Sequence, residues 1–437
     1  MSKEVNINVD YVTRVEGHGN IVVNAKDGNI KKCEWQIIES PRYFESLVVG
    51  RNWKELHHIT SRICGICSIG HTLASLKATE KAMDIEISES DRLLRKLALH
   101  AENMQSHILH VGYLALPDLM NVGSVLPLLQ SHPEEVKTVI RLHRLANEMS
   151  TVIAGRTTHP QRLIPGGFSK HPTKDMLKEL KHKLEGSIDD LNAVSVLLMN
   201  LAAKFPDFQR ETEFISLTHG REYALYSGDI LSSDTGITPF HDYLEITNEY
   251  MVPQSTAKYT KHNRDSYMVG ALARLNNNFD MLGPMAKEVA KKFDLKPMNF
   301  NPYMNNVAQL VEVVDSVENS IGILTSILEK GLEPQAEYHQ PHVAPKAGRG
   351  VGAVEVPRGI LFHDYTYDEH GVCTEANCVI PTNQNHANIQ KDMEALLPTI
   401  LDNPQDEIEL TLEMLVRAYD PCISCSTHYL NVEFVNE

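Results

Sequence analysis

Two cysteine pairs stand near opposite ends of the 437-residue chain. The first lies in Arg62-Ile63-Cys64-Gly65-Ile66-Cys67-Ser68-Ile69-Gly70-His71, the second in Asp420-Pro421-Cys422-Ile423-Ser424-Cys425-Ser426-Thr427-His428. C-x-x-C spacing lets two sulfurs aim at one centre from a single turn, and a histidine follows each pair. Thiolate is the soft ligand that selects zinc, copper(I), iron–sulfur or a soft-site nickel. The spacing predicts one four-thiolate metal centre assembled from both ends of the fold. Two chemistries stay open at this point. One is a structural four-cysteine zinc site, although a chain this long needs no staple to fold. The other is a catalytic metal. A thioredoxin-like redox pair would leave the second pair and both histidines unexplained.

The elements that must position these pairs are mostly helical. Ser88 is an N-cap candidate with Glu89 and Asp91 in the first turn. Leu94, Leu97, Ala98, Ala101, Met104, Ile108 and Leu109 then make a wide apolar face. His100, His107 and His110 on the same stretch read as buried, hydrogen-bonded or solvated side chains. Pro133 opens a second long helix that stops near Gly155, and helical periodicity returns over 174–204, about 254–293, 305–330 and 386–418. Residues 5–37 alternate as strands, with a hairpin signal at Asp27-Gly28-Asn29. The run from about 206 to 250 is strand-tinged and predicts a mixed lobe. Residues 331–385 are rich in Pro, Gly and His and predict turns and short strands beside a buried site. The expected fold is therefore mostly α with small β regions (α+β), a long-helix bundle with peripheral short sheets, the metal site lying between its N- and C-terminal segments. It is divided as a β region over 1–40, a helical body over 41–330, a site-lining region over 331–385, a helix and second cysteine motif over 386–428, and a tail over 429–437.

Composition narrows the function. A net charge of -16 argues against a nucleic-acid binder, which needs a basic stripe, and the sequence offers no polybasic segment for an anionic membrane surface. No apolar run is long enough to span a bilayer, and the amino terminus lacks the apolar core of a signal peptide. A cytoplasmic protein is the expectation. Beyond the four paired cysteines only Cys33, Cys373 and Cys378 remain, too few for an iron–sulfur cluster in this chain. If the centre is redox active, its electrons leave through another subunit. Gly348-Arg349-Gly350-Val351-Gly352 is too weak for a nucleotide fingerprint.

The two motifs, R-x-C-G-x-C-x-x-x-H and D-P-C-x-x-C-x-x-H, resemble the signature segments of the nickel–iron hydrogenase large subunit. Thr13-Arg14-Val15-Glu16-Gly17-His18, Val356-Pro357-Arg358-Gly359 and Ile380-Pro381-Thr382 fall where that family has further characteristic segments, so the resemblance covers nearly the whole chain. It implies reversible heterolytic cleavage of H2. Cys64 and Cys422 would be terminal thiolates on nickel. Cys67 and Cys425 would bridge nickel to an iron carrying carbon monoxide and cyanide. His71 would donate toward a bridging sulfur without touching the metals, and Arg358 would hang over the open face of the metals. Backbone around Pro381 and the Thr382 hydroxyl would hydrogen-bond the cyanides. Glu16 would carry the proton away from Cys422. Glu45, the Cys378 carbonyl and His428 would hold a second metal, magnesium or iron(II), for which hard ligands suit magnesium. Ser106 stands where some members carry an aspartate above the metals. Tyr429 to Glu437 would be a precursor tail removed after nickel insertion. The implied partners are an iron–sulfur small subunit, further diaphorase or flavin-containing subunits that reduce NAD(P), a deazaflavin or ferredoxin, and a maturation protease and nickel chaperones. The alternatives are a complex I-like quinone-pocket subunit, whose respiratory form lacks the four cysteines, and a zinc-stapled scaffold.

Overall fold

The structure, a computed structural model, describes residues 4–333 and 343–427. His428 and the Tyr429–Glu437 tail lie outside the described residues.

Three long helices, Glu89–Leu109, Pro133–Ala154 and Asn305–Lys330, form the body. The first begins as its sequence predicts: Ser88 Oγ accepts the Asp91 N–H at 3.0 Å, and acidic residues face the partial positive charge of the first turn. Its apolar face from Leu94 to Ile108 is buried, as are His100, His107 and His110. The helix runs on into a π-helical turn, His110–Ala115, a distortion that often accompanies functional sites. Pro133 opens the second helix at a position that needs no N–H donor, and Gly155 closes it in the left-handed conformation.

Three antiparallel strands, Glu4–Val9, Gly19–Lys26 and Asn29–Ile37, make the amino-terminal sheet. Asp27 and Gly28 turn the expected hairpin with φ of 51° and 77°, the paired positive values a two-residue hairpin favours. The lobe after residue 206 is a four-stranded sheet ordered Gly236–Thr238, Asp229–Ser232, Glu213–Thr218, Tyr267–Met268. It therefore recruits a strand from beyond 250, and the helix expected over about 254–293 is corrected to Ala271–Asn278 and Pro284–Lys292. Ser255, Ala257 and Tyr259 are buried at alternate positions, the period of extended chain rather than helix. The run 174–204 divides at Ser187 into two helices. The last helical stretch begins at Pro381 and breaks before Pro404, giving Pro381–Ile400 and Gln405–Ala418.

A buried sheet of Gly348–Val356, Gly359–Tyr367 and Cys373–Val379 packs against the helix Ser68–Met83 that follows the first cysteine pair. The glycine run explains the contact. A Cβ on Gly352 would lie 2.1 Å from the Ala74 carbonyl oxygen, and one on Gly350 would lie 2.0 Å from that of Ala78. These glycines bring a strand onto a helix. The result is a helical α+β fold whose main buried cluster extends from Val5 to Cys425.

Candidate metal centre

The two cysteine segments meet. The sulfurs of Cys64, Cys67, Cys422 and Cys425 all lie within 4.8 Å of one another and all four residues are buried. Cys64 Sγ stands 3.4 Å from Cys422 Sγ and accepts the Cys67 amide at 3.1 Å. Cys422 and Cys425 are joined as a disulfide; as metal ligands both must be reduced to thiolates. Burial raises the Cys64 thiol, but the hydrogen bond from Cys67 and the Arg358 guanidinium outweigh it, and its pKa lies below the ordinary thiol value. Cys67 is pushed well above it by burial and by the neighbouring Cys64. Four soft donors on one buried point fit a soft or borderline metal. Among the described residues no other cluster of His, Cys, Asp or Glu converges in this way.

The surroundings are built from distant parts of the chain. Glu16 pairs with Cys422 as a parallel β-bridge: the Ile423 amide donates to the Glu16 carbonyl at 2.9 Å, and the Ser424 amide donates to its carboxylate at 3.0 Å. Arg358 is buried, donating from Nε to the Asp420 carbonyl at 2.5 Å, from Nη2 to the Asp420 carboxylate at 2.6 Å, and from Nη1 to Ser106 Oγ at 3.2 Å. Thr382, beside Pro381 at a helix start, accepts the Cys422 amide at 3.0 Å, which leaves its own hydroxyl proton to donate elsewhere. His71 is one turn beyond Cys67; its Nδ1 lies 3.0 Å from His363 Nε2, and His363 Nδ1 lies 2.5 Å from Tyr365 Oη.

This arrangement has counterparts among known proteins. The profile of the family described as nickel-dependent hydrogenase matches residues 42–139 and 222–428, and one described as HoxL-like matches residues 6–40. The chain belongs to the nickel-dependent hydrogenase family. It is 32% identical over 433 residues to the sulfhydrogenase 1 alpha subunit of Pyrococcus furiosus, covering 98% of each chain. It is 27% identical to the beta subunit of the NAD-reducing hydrogenase HoxS of Cupriavidus necator, covering 97% of this chain and 94% of that one. A solved NAD+-reducing NiFe hydrogenase in its H2-reduced state superposes with a TM-score of 0.86 at 27% identity, covering 97% and 99% of the two chains. A NiFeSe hydrogenase from Desulfovibrio vulgaris Hildenborough, at 22% identity, shares the fold with a TM-score of 0.80 over 97% of this chain and 100% of that one.

The hydrogenase family supplies the metals that the cysteine spacing left open: nickel and iron, in the large subunit of an oxidoreductase that cleaves H2. The zinc-staple and quinone-pocket alternatives give way to it. No helix among the described residues is long and apolar enough to cross a membrane.

Two further features of this hydrogenase bear on the site. Glu45, on the short helix Phe44–Val48, accepts the Cys378 amide at 2.9 Å. The structure thus brings together two of the three residues of the implied second metal site; the contact it shows runs through the Cys378 N–H rather than its carbonyl. His428 lies outside the described residues. Sequence reasoning also passed over Glu102. Buried on the long helix, it accepts the Ile69 and Gly70 amides at 2.6 and 3.0 Å, capping the helix that the first cysteine pair opens. Nothing local marks it, since its partners are 32 and 33 positions away. Asp420 carried a signal, standing inside the second motif, but its role against Arg358 appears only in three dimensions.

Proposed function

We propose that Cys64 and Cys422 bind nickel terminally, that Cys67 and Cys425 bridge it to an iron bearing carbon monoxide and cyanide, and that Glu16 takes the proton released from H2. When bound, the metal pair supplies Lewis acidity and accepts the electrons. The remaining chemistry belongs to this chain. The Cys422 thiolate is a base beside the reacting atoms. Glu16, held to the same segment by its backbone bridge, is placed to receive the proton and pass it toward solvent. Arg358 keeps its charge under all conditions, and its salt bridge to Asp420 fixes it near Cys64 and Cys67. Thr382 and the backbone at Pro381 orient the cyanides. His71, held by His363 and Tyr365, supports the sulfur of Cys67. Glu45, Cys378 and His428 hold magnesium or iron(II). The observation that carries this reading is the convergence of four buried sulfurs, with Glu16 bridged through its main chain to the segment of Cys422.

Electrons leave through a partner iron–sulfur subunit. All seven cysteines fall among the described residues, and the three outside the centre do not converge. Burial pushes the Cys33 thiol up to about 12 and the Cys373 thiol to about 11, as expected of protonated packing residues rather than cluster ligands. Beyond that subunit the acceptor is NAD(P), a deazaflavin or ferredoxin, and the likeness to an NAD-reducing hydrogenase favours NAD(P). The test is H2-dependent reduction of each acceptor by the assembled, nickel-loaded complex. Reduction of NAD+ or NADP+ with one nickel per large subunit supports the reading. Absence of H2-dependent reduction of every acceptor and of an artificial dye contradicts it.

A further inference from the structure

Arg274 donates five hydrogen bonds beside the site, and none of them goes to an implied metal ligand. It is buried, and its five bonds run from 2.6 to 3.0 Å. Nε and Nη2 grip both oxygens of Glu312 at 2.7 and 2.6 Å, while Nη1 reaches Glu355 at 2.8 Å. Nη1 and Nη2 then donate to the carbonyls of Val356 and Pro357 at 2.9 and 3.0 Å. Those two carbonyls belong to the turn that presents Arg358. The same turn is packed from the other side. A Cβ on Gly359 would lie 2.4 Å from Val269 Cγ2, and one on Gly270 would lie 3.3 Å from the Arg358 carbonyl oxygen.

Glu312 reaches the other side of Arg358 as well. Its Oε2 lies 2.7 Å from His107 Nε2, and Tyr223 donates to its Oε1 at 2.6 Å. His107 is the chain neighbour of Ser106, the hydroxyl that Arg358 Nη1 contacts. One carboxylate on the helix Asn305–Lys330 therefore anchors both the turn that carries Arg358 and the helix segment that receives it.

We infer that Arg274 and Glu312 are positioning residues that set where the Arg358 guanidinium sits over the four-cysteine centre. A planar fork clamped on two carboxylates and two carbonyls is geometry a lysine cannot reproduce. Small displacements of a group near the reacting atoms cost rate steeply. The inference rests on the proposed role of Arg358, and a double-mutant cycle separates the two.

The experiment uses the assembled, nickel-loaded complex and compares Arg274→Lys, Arg358→Lys and the double variant. H2-oxidation turnover is expressed per bound nickel, and the infrared carbonyl and cyanide bands are recorded beside it. Arg274→Lys is expected to retain nickel, to shift those bands, and to lose turnover by about 100-fold. The double variant should fall within about twofold of Arg358→Lys alone. Normal turnover per nickel in Arg274→Lys, unshifted bands, or a double variant whose losses multiply would overturn the inference and leave the role of Arg358 standing. Normal turnover in Arg358→Lys would overturn that role and the inference with it. If Arg274→Lys takes up no nickel, His107→Gln tests the other arm of Glu312. At least a tenfold loss per nickel, with shifted bands, supports the inference. Normal turnover, or failure of this variant also to take up nickel, marks the network as a folding device only.

Discussion

Glu16 and Cys422 are neighbours across a parallel β-bridge, although they stand 406 positions apart in the chain. The bridge places the only glutamate of the Thr13–His18 segment beside a site cysteine, and it uses main-chain bonds, so side-chain substitutions at Glu16 leave it in place. Glu16→Gln is therefore expected to retain nickel and iron while H2 oxidation with an artificial dye drops by about 100-fold or more. Metal analysis and dye assays on the same preparation check this. Wild-type turnover would remove Glu16 from the proton path.

Gly17 makes that bridge possible. Its φ is +86°, and a Cβ there would lie 2.7 Å from Ile423 Cβ and 2.8 Å from the Ser424 nitrogen. Gly17→Ala should destabilise the folded chain by about 2 kcal/mol and lower nickel occupancy, because it pushes the second cysteine segment outward. Denaturant unfolding with metal analysis measures both. An unchanged midpoint and full nickel would show that the segment moves aside freely.

The cysteines divide into two groups. Cys67→Ser or Cys425→Ser should abolish nickel and iron binding, since each removes one of four converging ligands. Cys33→Ser and Cys373→Ser should leave metal content unchanged. Nickel and iron determinations on purified variants distinguish the groups, and loss of metal in Cys33→Ser would place a ligand where the structure shows none.

Stability should depend on pH through Asp315. Burial pushes its carboxyl up to about 7, against the Gly283 amide hydrogen bond that favours the charged form. Between its unfolded value of 3.8 and about 7 the folded chain holds the extra proton, so stability falls as pH rises through that window. Asp315→Asn should remove up to about 1.4 kcal/mol per pH unit of that fall. Denaturant midpoints of both proteins at pH 5, 6 and 7 give the comparison; parallel curves would assign the pH dependence to other groups.

Much of the centre is legible in the sequence, because the ligands come in pairs. Cys64 with Cys67, and Cys422 with Cys425, announce themselves by local spacing, and the Ser88 cap and Pro133 start are equally local. What escaped was set by partners far along the chain. Glu102 reads as one polar residue on an amphipathic helix until the Ser68–Met83 helix is laid across it. Arg274 and Glu312 lie 38 positions apart, and each looks like an ordinary charge on a helix. The stretch 254–270 misled for another reason. Its Tyr, Ala and Ser side chains are buried at alternate positions against other segments, and tertiary packing overrode the helical spacing read there.

The most direct test of the account is infrared spectroscopy of the matured complex between about 1850 and 2150 wavenumbers, a window in which protein barely absorbs and metal-bound carbon monoxide and cyanide do. The four-cysteine centre read here predicts one carbonyl band and two cyanide bands, all shifting under H2. Nickel-loaded, tail-processed protein with an empty window would contradict it.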